Sequence, residues 1–230
     1  MIKDANDELY LNYHKYIRKK KYVIILIIAL CIITALYSLC SGSSGLGLGE
    51  VLRCLIGQGD KMSNSIVMNI RLPRIITAII VGILLAISGS VMQSVLRNPL
   101  ASASTLGISQ GASFGATIGI ICFGAGVQGT VTSASAITIY DPTVVVICAF
   151  VGGIISAAII LLLSKYKQMK PSTMVLVGVA LSSLFNGGTT LVQYFADDVQ
   201  VSAVVFWTFG DLGRTNWNEI MILLVTAAVM

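Results

Sequence analysis

The chain has 230 residues, of which 56% are hydrophobic and only 11% charged, with a mean hydropathy of +0.88 and a formal net charge of +5. Soluble domains carry about 25% charged residues, so this composition excludes a water-soluble globular enzyme or binding module and names lipid as the main solvent. The excess of positive charge is read by its position relative to the apolar runs, not as a nucleic-acid footprint, and no nucleic acid is expected as a partner.

Residues 1–21 form a polar, basic segment with the single histidine, His14, expected as a solvated tail. Lys3, Lys15, Arg18, Lys19, Lys20 and Lys21 precede the first apolar run and place the N-terminus in the cytoplasm. Uncharged stretches then run from Tyr22 to Gly49, Ile75 to Leu96, Asn98 to Tyr140, Pro142 to Ser164 and Pro171 to Ala196. Each can supply the ~20 apolar residues that cross ~30 Å of hydrocarbon. The first is too long for a signal-peptide core and reads as a retained helix. The expected fold is an all-α polytopic membrane protein with five complete transmembrane helices and the start of a sixth. Residues 22–230 form its transmembrane domain, incomplete at the C-terminus.

The first helix is expected over Tyr22–Leu39, followed by the breaker cluster Ser41-Gly42-Ser43-Ser44-Gly45 and an outer loop in which Glu50–Ile56 forms a short interfacial helix. Pro73 is predicted to open the second helix and Pro99 to close it, while Pro142 and Pro171 open the fourth and fifth. Asp141 and Ser172 are candidate caps for those two starts. The third helix carries Gly107, Gly111, Gly115 and Gly119 at a spacing of four, on one face. Such a stripe lets another helix approach closely in lipid. Gly82, Ala86 and Ser90 on the second helix, and Gly152 with Ser156 on the fourth, are the expected partners. The ladder is no phosphate loop, since no GxxxxGK[ST] follows a strand.

After the fifth helix, Asp197 and Asp198 lead into Val199–Phe206, too short to span and expected to fold back as a short helix. The connection Trp207–Trp217 suits the headgroup interface, and a sixth span starts near Asn218. In this orientation Arg97, Lys165, Lys167 and Lys170 face inward, leaving Arg53, Lys61, Arg71, Arg74 and Arg214 outside. Arg71 and Arg74 stand against the charge rule and invite a second explanation.

No span carries Asp, Glu, Lys, Arg or His between its ends, which removes any proton relay, coupling-ion carboxylate or charged gating helix. No Ser/His/Asp, HExxH or paired-carboxylate arrangement exists either. Cys31, Cys40, Cys54, Cys122 and Cys148 lack metal spacing. No catalytic, cofactor-binding or metal residues are therefore predicted, and the energy for any transport is expected to come from another subunit.

A family resemblance rests on Arg71-Leu72-Pro73-Arg74, then Val81-Gly82, Leu85-Ala86, Ser88-Gly89, Gln93, Asn98-Pro99-Leu100-Ala101 and Leu106-Gly107-Ile108-Ser109-Gln110-Gly111-Ala112. It continues through Leu176-Val177-Gly178-Val179-Ala180-Leu181 and Trp207 to Gly210. From about Leu46 onward the chain resembles the iron-siderophore, haem and cobalamin permeases of type II ABC importers, the FecCD family. The resemblance implies a permease in a bacterial plasma membrane that moves an iron-siderophore or related metal chelate into the cytoplasm and is not itself an enzyme. Implied partners are a cytoplasmic ABC ATPase dimer, an extracytoplasmic substrate-binding protein, a second permease subunit and membrane lipid. By the same resemblance Arg71 and Arg74 dock the binding protein, the alternative being headgroup anchoring by snorkelling. The fifth helix would line the path, with Pro171, Ser172 and Thr173 at an inner gate and Asn186, Gly187, Gly188, Thr189 and Gln193 along the wall. The alternative for these is ordinary helix packing. Family members continue past the sixth helix into an ATPase-docking loop and further helices. An ATP-independent carrier or channel, or a nonfunctional permease fragment, therefore stands as the competing expectation.

Overall fold

A computed structural model describes residues 2–42, 45–125, 141–167, 170–213 and 215–229, with side chains from Tyr13 onward other than those of Lys167 and Val229. Ser43, Ser44, Tyr140 and Arg214, to which the sequence assigns loop, span-end or charge roles, lie outside the described residues. Among the described residues regular structure is wholly helical. Helices α1 (Ile2–Cys40), α2 (Leu48–Leu55) and α3 (Lys61–Ile66) lead through a π-helical turn (Val67–Arg71) into α4 (Leu72–Val95). Then follow α5 (Ile108–Ile121), α6 (Pro142–Lys167), α7 (Pro171–Tyr194), α8 (Asp198–Phe209) and α9 (Trp217–Val229). The runs Tyr13–Cys40, Lys61–Val95, Pro142–Tyr166 and Pro171–Tyr194 are long and apolar enough to cross a membrane. The chain is an all-α, multi-pass membrane protein.

Where five complete spans were expected, the described residues hold those four and the shorter α5. With 14 residues α5 rises about 21 Å, less than the ~30 Å of a hydrocarbon core. Its start is set by Gly107, whose φ of +74° is left-handed and does not continue a right-handed helix backward.

Local chemistry explains most boundaries and corrects two. The basic N-terminal segment is part of α1 rather than a tail. Residues 2–40 contain no proline or glycine, and Lys20 lies 4.6 Å over the Tyr16 ring one turn earlier. Pro73 does not open a helix but lies inside the continuous run Lys61–Val95. A proline ring crowds the carbonyl four residues back, here that of Asn69. The π-turn relieves this: the Leu72 amide donates to the Val67 carbonyl five residues earlier, and the widened turn makes room for the ring.

At α6, Asp141 Oδ1 accepts from the Thr143 amide at 3.1 Å, a side-chain cap ahead of Pro142. Ser172 caps nothing, because α7 starts with Pro171 at its first position and Lys170 before it, with no side-chain cap bond. The short piece after the fifth span becomes α8, opened by an Asp197/Gln200 capping box in which the Asp197 amide donates to Gln200 Oε1 at 3.3 Å. At 12 residues it extends about 18 Å.

The chain divides into two compact units, residues 1–81 with 212–230, and residues 82–211. The first has a core of Leu39, Leu46, Val51, Cys54 and Val67. The second has one cluster around Ala116, Ile120, Val145, Ala149 and Val204, and another of Leu96, Ala101, Leu106, Ile160 and Leu181.

Candidate translocation face and docking arginines

Within the second unit, α5 is packed from two sides through glycine. A Cβ on Gly111 would sit 2.7 Å from the Gly152 carbonyl oxygen and 2.8 Å from Ser156 Cβ, both on α6. One on Gly115 would collide with the Cys148 carbonyl, and one on Gly119 would lie 3.2 Å from Val145 Cα. In the other direction, a Cβ on Gly152 would run into the Gly111 carbonyl. The two backbones thus meet with only hydrogens between them. Gly107 differs from its three neighbours in the ladder. It precedes the helix, and its Cβ would meet the Gly178 carbonyl of α7 at 3.0 Å. Gly82 has nothing within 4 Å of a built Cβ, and Ala86 and Ser90 are exposed. Among the described residues the stripe is met by α6 and α7, not by α4.

Beside Gly107 lies a polar knot that the glycine pattern did not reveal. The Ser102 amide donates to Thr105 Oγ1 at 2.8 Å and the Thr105 amide to Ser102 Oγ at 3.2 Å. This reciprocal pair holds residues 102–105 in a turn. Ser182 on α7 donates to its own Gly178 carbonyl at 2.8 Å and has the Ser104 carbonyl and Gln110 Oε1 at 3.5 and 3.4 Å. The signal available in sequence was Ser-x-x-Thr just before a glycine able to adopt positive φ.

On α7 the two faces separate cleanly. Gly178 and Leu181 are buried, Phe185 stacks at 5.7 Å on Phe114, and a Cβ on Gly188 would lie 2.9 Å from that Phe114 ring. The other face exposes Ser183, Asn186, Gly187 and Thr190. The hydroxyls of Ser183 and Thr190 donate to carbonyls four residues back, leaving the Asn186 amide as the strongest hydrogen-bonding group there. Pro171, Ser172 and Thr173 are exposed at the helix start, whereas Gln193 and Thr189 are half-buried. The candidate path residues therefore divide into an exposed set and a partly packed one.

In the first unit the two candidate docking arginines also separate. Arg71, partly buried, donates from Nη1 to the Leu39 carbonyl in the last turn of α1. Its Nη2 fills the space where a side chain on Gly42 would begin. A cation there satisfies a free carbonyl and complements the negative end of the helix dipole. Arg74, one turn further, is exposed.

A family model described as the FecCD transport family matches residues 30–230. The chain belongs to that family. It is 48% identical over 218 residues to an ABC transporter permease protein of Methanocaldococcus jannaschii, covering 95% of this chain and 61% of that protein. It is 30% identical over 223 residues to the vitamin B12 import system permease protein BtuC of Vibrio vulnificus, covering 94% and 59%. Among solved structures, a metal-chelate type ABC transporter in an inward-facing conformation matches with a TM-score of 0.69 and 28% identity, over 91% of this chain and 59% of that one. The chain thus spans about three-fifths of the length of the relatives it matches. The RLPR, NPLA and LGISQGA segments all lie within the residues that the FecCD model matches.

Proposed function

We propose that this chain acts in an ATP-driven importer as membrane-spanning permease, passing an iron-siderophore or related metal chelate into the cytoplasm along the exposed face of α7. The observation that carries this reading is that face itself: Ser183, Asn186, Gly187 and Thr190 form a polar stripe on a helix otherwise suited to lipid. Uncovered in hydrocarbon, an amide such as Asn186 costs several kcal/mol. A water-lined path against a second permease subunit removes that cost.

The same face favours a chelate over a bare ion. Between Pro171 and Ala196 there is no charged residue, so nothing offsets the desolvation of a free metal cation. A chelator that already surrounds its metal asks only for hydrogen bonds and apolar contact. The similarity to a B12 import permease supports this class of cargo. Pro171, Ser172 and Thr173 at the start of α7 are assigned to the inner gate, with the N-terminus in the cytoplasm. The exposed Arg74 offers the docking cation for a binding protein, and Arg71 adds to the local positive field while tied to α1. ATP hydrolysis is assigned to a separate cytoplasmic ATPase dimer.

The test is uptake of a ferric siderophore and of cobalamin into proteoliposomes holding the chain with its candidate ATPase and binding protein, with and without ATP. ATP-dependent uptake that falls at least several-fold on Asn186→Leu supports the reading. Equal uptake without ATP identifies an energy-independent carrier or channel instead.

A further inference from the structure

Helix α2 presents three faces. Val51 and Cys54 are buried in the first unit's core, at 2% and 0% exposure. Glu50 and Arg53 carry charge on a second face. Leu48, Leu52 and Leu55, at a spacing of four and three, form the third and remain exposed, and Ile56 and Met62 extend the apolar edge beyond the helix at 72% and 73% exposure. A single helix with one apolar strip against protein and another left open has two apolar neighbours to satisfy.

The depth of α2 says which neighbour covers the open strip. Its buried residues Val51 and Cys54 share a cluster with Leu39, which lies 17 residues after Tyr22, the start of the apolar part of α1. That is about 26 Å along the helix, close to the far edge of a ~30 Å hydrocarbon layer. Two other side chains end at the same level. Arg71 donates to the Leu39 carbonyl, and Trp217, on α9, donates from its indole Nε1 to the Met68 carbonyl in the π-turn at 3.1 Å. Arginine and tryptophan, each with a polar end and an apolar body, are the residues that collect at the headgroup boundary.

We infer that α2 is a monotopic helix lying in the lipid interface on the side opposite the N-terminus, with Leu48, Leu52 and Leu55 inserted among acyl chains and Glu50 and Arg53 at the headgroups. The occupant of the leucine strip is therefore lipid and not a docking protein. Such a helix clamps the far end of α1 at a set depth, because immersion of the leucines opposes any displacement along the membrane normal.

The inference stands apart from the transport reading, since it concerns anchoring alone. The chain is reconstituted in phosphatidylcholine bilayers carrying a lipid with a photoactivatable diazirine in the upper acyl chain, then irradiated and digested. Adducts on Leu52, Leu55 or Ile56 at a yield comparable to residues of α1 are the expected result. Labelling of these residues no higher than that of the charged segment 15–21 overturns the inference. As a second readout, Leu52→Trp and Arg53→Trp are compared in a Trp207→Phe, Trp217→Phe background in brominated lipid. Quenching at least twice as strong at position 52 as at 53 supports immersion. Equal quenching, or loss of the position-52 quenching when a binding protein is added, assigns the strip to a protein partner and overturns it.

Discussion

The two compact units solve the same problem by different means. Lipid tails are as apolar as leucine, so burying apolar area between helices gains little inside a membrane. The second unit answers with backbone proximity: Gly111, Gly115 and Gly119 on α5 meet Gly152, Cys148 and Val145 on α6, and the gain is dispersion over closely fitted surfaces. The first unit uses bulkier side chains, Leu39, Leu46, Val51 and Val67, and adds side-chain donors to main-chain carbonyls. Arg71 reaches Leu39, and Trp217 reaches Met68. Those ties end on main-chain carbonyls, whereas the glycine contacts of the second unit bring two backbones together with only hydrogens between them.

This contrast can be broken most severely at Gly115. Gly115→Leu drives a side chain into the Cys148 carbonyl and separates α5 from α6, at the upper end of the ~1–3 kcal/mol of overpacking. A large loss of thermal stability in detergent is expected by fluorescence-monitored melting. Gly82→Leu, built where nothing lies within 4 Å, should leave the melting point essentially unchanged. Equal losses at both positions would remove the distinction between a packed and an open glycine.

The arginines sharpen the other half of the comparison. Arg71→Ala leaves the Leu39 carbonyl without its charged donor and is expected to lower stability by about 1.5–3 kcal/mol. Arg74→Ala should not shift the melting point but should weaken association with a binding protein at low salt, the effect fading as salt is raised. A smaller loss of stability than at Gly115 or Arg71 is expected at the α5–α7 knot. Ser182→Ala removes a hydroxyl whose shortest bond is within its own helix, for a cost of about 0.5–1.5 kcal/mol. Hydrogen exchange should rise in residues 102–107 and stay unchanged in α6. A melting-point loss at Ser182→Ala as large as at Gly115→Leu would mean that polar ties, not glycine contacts, hold the second unit.

Much of this architecture could be read in the sequence because its causes are local. Uncharged runs name their solvent without reference to any neighbour, and Asp141-Pro142 marks a helix start through bonds that span two residues. The four-residue spacing of Gly107, Gly111, Gly115 and Gly119 announces a close-contact face wherever that face is pointed. The candidate path residues on α7 were legible only as a list. Asn186 and Gly187 fall on the exposed face while Gln193 and Thr189 are half-buried, a division fixed by Gly178, Leu181 and Phe185 packing inward.

Local composition thus determined that the chain lives in lipid, that it is helical, and which helix would pack through glycine. Tertiary structure alone decided what each face meets. The α5 stripe turns to α6 and α7 and leaves Gly82 on α4 open, because only backbones brought together across long stretches of chain can test whether a Cβ fits. Pro73 sits inside a helix because the π-turn before it widens, and Arg71 closes α1 across 32 residues of sequence. Such partners are set by the path of the whole chain, and a side chain's identity states what bond it can make without stating to whom.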